Sequence, residues 1–176
     1  MARRYRRRLS YSAPALLAVV VLAALRWFFG EPVPPPPANL PEGNYRVERV
    51  VDGDTLLVDR LGRVRLQGIN APESVKPDSP VEPWGPEASA FTKQFLAQGQ
   101  VRLQFDRERV DQYGRTLAYA WVGDKLLNEE LIRAGLARAE MQYHYSSAMK
   151  TRFRKAQDEA RAAQRGIWSQ PAGAVR

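Results

Sequence analysis

"VVDGDTLLV", residues 50–58, decides how the rest of this chain is read. It is a run of aliphatic residues broken by two carboxylates, Asp52 and Asp54, around Gly53. A half-buried strand rarely carries acids at its centre, because an ionised group taken from water without a partner is costly. The stretch therefore reads as two strands meeting at a polar junction. Alternating Val, Leu and Arg extend the pattern to three strands, 44–51, 54–59 and 63–69, with "DRLGR" as the turn between the last two. Gly53 is expected to permit a bulge or an unusual backbone angle, and Asp52 to shape the turn.

Downstream, "PWGPEASAFTKQFLAQG" (83–99) reads as a helix with Pro86 in its first turn and Gly99 past its end. "QVRLQFD" (100–106) and "GRTLAYAWV" (114–122) read as two more strands. "LLNEELIRAG" (126–135) is a short helix, and "SSAMKTRFRKAQDEARAAQRG" (146–166) a longer amphipathic one. Three strands, a helix, two strands and then helices give an α+β class: a five-stranded Greek-key barrel of the OB type with about three flanking helices. Within the helices, Lys150, Arg152, Arg154 and Lys155 read as a solvated face. Trp84 and Trp168 read as packing residues.

Upstream the chemistry changes. "MARRYRRRL" carries five arginines, and Leu9 to Leu25 is free of charge. With Arg26 snorkelling and "WFF" as an aromatic anchor, residues 1–30 read as a basic flank and a transmembrane signal-anchor. Arginines before the span place the N-terminus inside and the domain on the outer, periplasmic or extracytoplasmic side. A cleaved secretory signal is the alternative, although "LRWFFGEP" offers no small-x-small cleavage site. A mitochondrial membrane is the alternative to a bacterial one. Residues 31–43, with six prolines, form an extended spacer. The folded domain is expected over 44–169, with 170–176 a tail.

The net charge of +8 resides mostly in that flank. Residues 1–30 hold six of the 27 basic residues and none of the 19 acids, leaving 21 against 19 for the remainder. High pI is thus weak evidence for a nucleic-acid partner. The absence of cysteine excludes a disulfide framework, a zinc–thiolate site and a thiol nucleophile.

A meander of the first three strands brings residues 52–54 to the same barrel end as 69–73. Carboxylate and amide oxygens gathered there without histidine specify a hard cation, calcium or magnesium. Arg65 in the third strand and Arg115 at the start of the fifth add planar forks suited to a phosphate diester. The only histidine, His144, lies between tyrosines and is read as standing outside the chemistry.

Six stretches in order, "VVDGDTLLV", "VRLQGINAPE", "WGPEASAFTKQFL", "DQYGRTLAYAWV", "LLNEELIRAGLAR" and "RGIWS", resemble the staphylococcal nuclease (thermonuclease) family over nearly all of 44–169. The resemblance implies a calcium-dependent phosphodiesterase acting on DNA and RNA. It implies calcium ligands at Asp54, Asn70 and the backbone carbonyl of Ala71, with Glu73 activating the attacking water. Arg65 and Arg115 match phosphate-binding arginines, and Tyr113 and Tyr143 match tyrosines that contact substrate phosphate. Asn70 stands where the staphylococcal enzyme has an aspartate, which lowers the expected calcium affinity. Gln112 stands for a lysine and Met141 for a tyrosine. The domain is expected to act as a monomer. Competing readings are a tethered nucleic-acid-binding barrel that does not cut, and a passive envelope module. Retention of Asp54, Arg65, Glu73 and Arg115 favours catalysis.

Overall fold

A computed structural model of the protein describes residues 40–74 and 81–169. All of them belong to one compact unit, Pro35–Arg176. The expected basic flank, span and most of the Pro-rich spacer lie outside the described residues. Among the described residues no helix is long and apolar enough to cross a membrane.

The chain runs β1 (Gly43–Asp52), β2 (Thr55–Val58), β3 (Gly62–Leu66), β4 (Ile69–Asn70), α1 (Gly85–Phe95), β5 (Gln100–Gln104), β6 (Thr116–Val122), β7 (Lys125–Leu126), α2 (Leu127–Arg133), β8 (Arg138–Ala139), α3 (Ser147–Ala162) and a 3₁₀ turn (Gly166–Trp168). Antiparallel pairs join β1 to β2, β2 to β3, β1 to β5 and β5 to β6. A parallel pair, Val64–Leu66 against Thr116–Ala118, closes the circle. The result is the expected closed five-stranded barrel with three helices outside it. β1 serves both halves, since Gly43–Arg46 pair with β5 and Val47–Asp52 with β2.

Inward residues of the alternating strands fill the barrel: Leu56, Val58, Val64, Leu66, Val101, Leu103, Ala118 and Ala120 are all buried. α2 buries Leu127, Leu131 and Ile132. α3 turns Phe153, Ala156 and Ala160 inward at helical spacing. One polar bolt crosses this apolar contact. Asn128 of α2 is fully buried; its Oδ1 accepts from Ala120 N at 3.0 Å and its Nδ2 donates to Gln67 O at 3.0 Å. It satisfies backbone groups that would otherwise be orphaned.

The third expected strand, 63–69, is broken. Gly68 adopts φ +76° and separates β3 from β4. The short β4 then pairs with β8 rather than with the barrel, as Ile69 faces Ala139 and Asn70 faces Arg138. This break turns the chain out of the barrel wall, and it positions everything described next.

Candidate active site

The β1–β2 hairpin turns through Gly53 and Asp54, with Asp52 paired to Thr55. A register irregularity lies between Val50 and Asp52, so the expected bulge is present just before the glycine. Gly53 is not in the left-handed region, which corrects the expectation of an unusual backbone angle. Its role is closeness instead. A Cβ there would stand 2.7 Å from Ala88 Cβ and 2.8 Å from Ala71 Cβ. Its carbonyl also accepts from Thr92 Oγ1 at 2.7 Å. The glycine thus lets α1 and the 71–73 segment close on the hairpin tip.

Asp52 does shape the turn, accepting from Asp54 N at 3.0 Å. Burial, offset in part by Arg65, pushes its carboxyl above the ordinary carboxylate range. Asp54 is only 5 % exposed. Its Oδ1 accepts from Thr55 Oγ1 at 3.1 Å, and its Oδ2 from Ala71 N at 2.7 Å. Arg65, opposite Thr55 on β3, pairs through Nη1 with Asp54 Oδ2 and donates from Nη2 to Asn70 Oδ1 at 2.9 Å. The two acid interruptions of the strand are therefore a turn-former and a buried acceptor for a cationic fork.

A second arginine approaches from the loop before β6. Asp111 organises it completely. Asp111 Oδ1 accepts from Tyr113 N and Arg115 N, both at 2.9 Å, and Oδ2 from Arg115 Nε at 2.6 Å. Arg115 lies 5.4 Å from the Tyr113 ring centroid, within cation–π range. Tyr113 itself is 74 % exposed and Tyr143 56 %, so neither is a packing residue.

Arg65, Asn70, Tyr113, Arg115 and Tyr143 line one open cavity of about 570 Å³. Asp54 and Ala71 join it through their bonds to Arg65 and to each other. Glu73 does not line it. Glu73 is half-buried, two residues beyond Ala71. Its Oε1 accepts from Ser74 N at 3.2 Å, and its backbone exchanges bonds with Glu82, from Glu73 N to Oε2 at 3.2 Å and from Glu82 N to Glu73 O at 2.9 Å. Burial and the proximity of Arg115 pull the Arg65 pKa down from its ordinary value, while Asp52, Glu140 and Asp111 push it up. Two guanidinium groups with like charge and one cavity between them make a place for an anion.

Sequence reasoning missed Asp111 and Glu140. Asp111 carried a signal, since Asp before "QYGR" is an Asx-turn former. Glu140 carried none; the β4–β8 pairing brings it to the cavity wall. His144, set aside in the sequence, lines the cavity as well, as does Gln112. Trp84, read as packing, is 37 % exposed and caps α1 at φ 74°. The basic run on α3 is only half solvated. Lys150 donates to Met141 O at 2.9 Å, and Arg152 pairs with Glu129, while Arg154 and Lys155 are exposed.

Oxygen donors fit a hard cation here. One Arg65 fork touches both Asp54 Oδ2 and Asn70 Oδ1, so these oxygens already converge on a single positive group. No cluster of three Asp, Glu, His or Cys residues suited to a metal exists among the described residues. A cation would rest on a mixed set of carboxylate, amide and carbonyl oxygens, the chemistry of calcium or magnesium.

A model of the family described as "Staphylococcal nuclease homologue" matches residues 63–170. A thermonuclease of Staphylococcus hyicus is 45% identical over 135 residues, covering 75% of this chain and 79% of that protein. A thermonuclease of Staphylococcus intermedius is 48% identical over 128 residues, 71% of this chain and 76% of that protein. Endonuclease YncB of Bacillus subtilis is 38% identical over 130 residues, 72% of this chain and 62% of its own length.

Proposed function

The chain belongs to the staphylococcal nuclease family, and from that premise we propose that it hydrolyses phosphodiester bonds of DNA and RNA in the cavity between Arg65 and Arg115. The observation that carries this reading is the convergence of both arginines on one cavity, each aimed by its own carboxylate, Asp54 for Arg65 and Asp111 for Arg115. Guanidinium forks pair with non-bridging phosphate oxygens and stabilise the charge that accumulates on them in the transition state. Exposed Tyr113 and Tyr143 at the rim supply hydroxyl donors for phosphate and ring faces for bases.

Asp54, Asn70 and the carbonyl of Ala71 would hold a calcium ion, with magnesium as the alternative. Bound there, the ion supplies charge neutralisation at a phosphate oxygen and acidifies water. Glu73 follows the Ala71–Pro72 segment and stands outside the cavity lining; the match to the family's motif is what supports its role in taking the proton from the attacking water. A carboxylate is a weak base towards free water, so it needs water that the cation has acidified. Asn70 in place of a second carboxylate makes calcium binding weak, which suits a domain exposed to millimolar calcium. Residues 1–30 are proposed as an anchor that holds the domain on the outer face of a membrane through the Pro-rich spacer.

The test is the full chain in detergent with plasmid DNA and with single-stranded RNA, in calcium, in magnesium and in chelator, beside Glu73→Gln. Cutting that needs calcium and falls about 10²-fold or more in the variant is expected. Binding without cutting in any metal would leave a tethered binding module instead. Membrane fractionation with protease protection tests the anchor; a fully soluble mature chain would show cleavage of the leader.

A further inference from the structure

The cavity contains a residue that a phosphate site does not explain. Glu140 follows β8, and its N–H donates to Gly68 O at 2.9 Å, which fixes it opposite the break in the β3–β4 segment. Its side chain lines the cavity with Arg65, Asn70, Arg115 and Tyr143. No ion pair joins Glu140 to Arg65 or to any other described residue, although the two side chains feel each other electrostatically. One carboxylate oxygen accepts only from Gln142 Nε2, at 3.3 Å on the surface. The other accepts from no described donor. A carboxylate there repels phosphate, so it must face the other part of a nucleotide. Ribose and base are the parts that carry hydrogen-bond donors.

We propose that Glu140 is a specificity residue that reads the unpaired base beside the bound phosphate, its two oxygens accepting from the adjacent N–H groups of guanine. This rests on the phosphate-binding reading of Arg65 and Arg115. Guanine alone among the common bases presents an imino and an amino donor side by side on its Watson–Crick edge, matching the two oxygens of one carboxylate. That edge is accessible only in single strands and loops. Adenine and cytosine offer the exocyclic amine without the neighbouring imino donor. Exposed Tyr113 and Tyr143 on the same cavity provide ring faces for stacking. Burial raises the Glu140 carboxyl pKa, so the group has lost hydration that a base edge restores.

The experiment is calorimetric binding to the full chain in detergent with calcium. The probes are GMP, AMP, CMP, UMP, dGMP and the base-free reference ribose 5-phosphate, on wild type and on Glu140→Ala and Glu140→Gln. GMP and dGMP are expected to bind roughly tenfold or more tighter than the other nucleotides, the discrimination of one good bidentate contact. In Glu140→Ala that preference disappears, while ribose 5-phosphate binds as well or better because a negative charge has gone. Glu140→Gln, which keeps size but replaces one acceptor by a donor, loses the preference too. Equal binding of all bases, or a guanine preference that survives in both variants, overturns the proposal. Loss of affinity for dGMP relative to GMP, with AMP, CMP and UMP binding as well as GMP, would assign Glu140 to the 2′-hydroxyl and overturn it as well. If ribose 5-phosphate itself does not bind, the phosphate-site reading fails, and this is distinguishable from a failure of base selection alone.

Discussion

Asp111 is four residues from Arg115 and takes three of the hydrogen bonds that shape the loop between them. Asp111→Ala frees the guanidinium without opening the core, because this loop lies outside the barrel. The expected outcome is a roughly 10²-fold fall in kcat with little change in thermal midpoint, the typical cost of misplacing a group in the proposed phosphate site. Steady-state cleavage of a labelled oligonucleotide beside a melting curve checks it. Asp106 is a different kind of carboxylate. Burial pushes it up, but N–H donors from Arg107 and Ser146 and the Tyr119 hydroxyl outweigh that and hold it below 3.8. A folded-state pKa below the unfolded one gives stability that is full above 3.8 and is lost as pH falls through the folded value. Asp106→Asn should cost about 1–3 kcal/mol at neutral pH, and the difference from wild type should shrink under acid. Urea melts at neutral pH and well below pH 3.8 measure both. A gap that stayed constant with pH would contradict the assigned partners.

Among the elements, the hairpin tip and α1 are pressed together at Gly53. Adding a methyl group there drives Ala88 and Ala71 apart, and Ala71 N is a donor to Asp54. Gly53→Ala is expected to destabilise by about 1–3 kcal/mol, the usual cost of overpacking, and to weaken the proposed calcium binding in the same variant. Chemical denaturation and calcium titration would separate the two losses. The strands and helices themselves were legible because their periods of two and 3.6 residues reflect burial that packing then delivered. The boundaries moved by a few residues, inward at α1, which ends at Phe95 rather than just before Gly99, and outward at β1, which runs Gly43–Asp52 rather than 44–51. Illegible were the parallel β3–β6 closure and the β4–β8 pair. Both join segments far apart in the chain, and no local pattern reports such a partner. The same reason hid Glu140. Arg65, Asn70 and Arg115 could be named because the strand order gathers polar residues at one barrel end and because they match the family's motifs, whereas Asp111 hid among turn formers. Gly53 was noticed for part of its reason: the bulge lies beside it, but its neighbours in space, not its own dihedral angles, require the missing side chain.

Across the whole domain, two glycines hold the helical layer shut. Gly135 at φ +73° and Gly166 at φ +52° cross so closely that a Cβ on Gly166 would collide with the Gly135 carbonyl, and Ile167 N donates to that carbonyl at 2.8 Å. Trp168 then lies between two guanidinium groups, 4.4 Å from Arg138 and 4.3 Å from Arg161. Nearby, Arg133 bridges Glu129 of its own helix and Glu159 of α3, at 2.5 and 3.1 Å. Gly166→Ala meets both a steric block and a disfavoured backbone region, so a loss of about 3 kcal/mol is expected, read as a lower denaturant midpoint with unchanged slope. Arg138 belongs to β8, the strand that holds Asn70 and leads into Glu140. Loosening this corner should therefore also lower activity in the variants that still fold.

That crossing also sets an order in time. A chain made from its N-terminus first completes all five barrel strands by Val122, yet the contact that locks α2 and α3 onto them waits for Gly166–Trp168. Until those residues emerge, the growing polypeptide lacks the contact that ties the Gly135 corner to the 3₁₀ turn, and Phe153 of α3, which shares the barrel's core, joins it late as well.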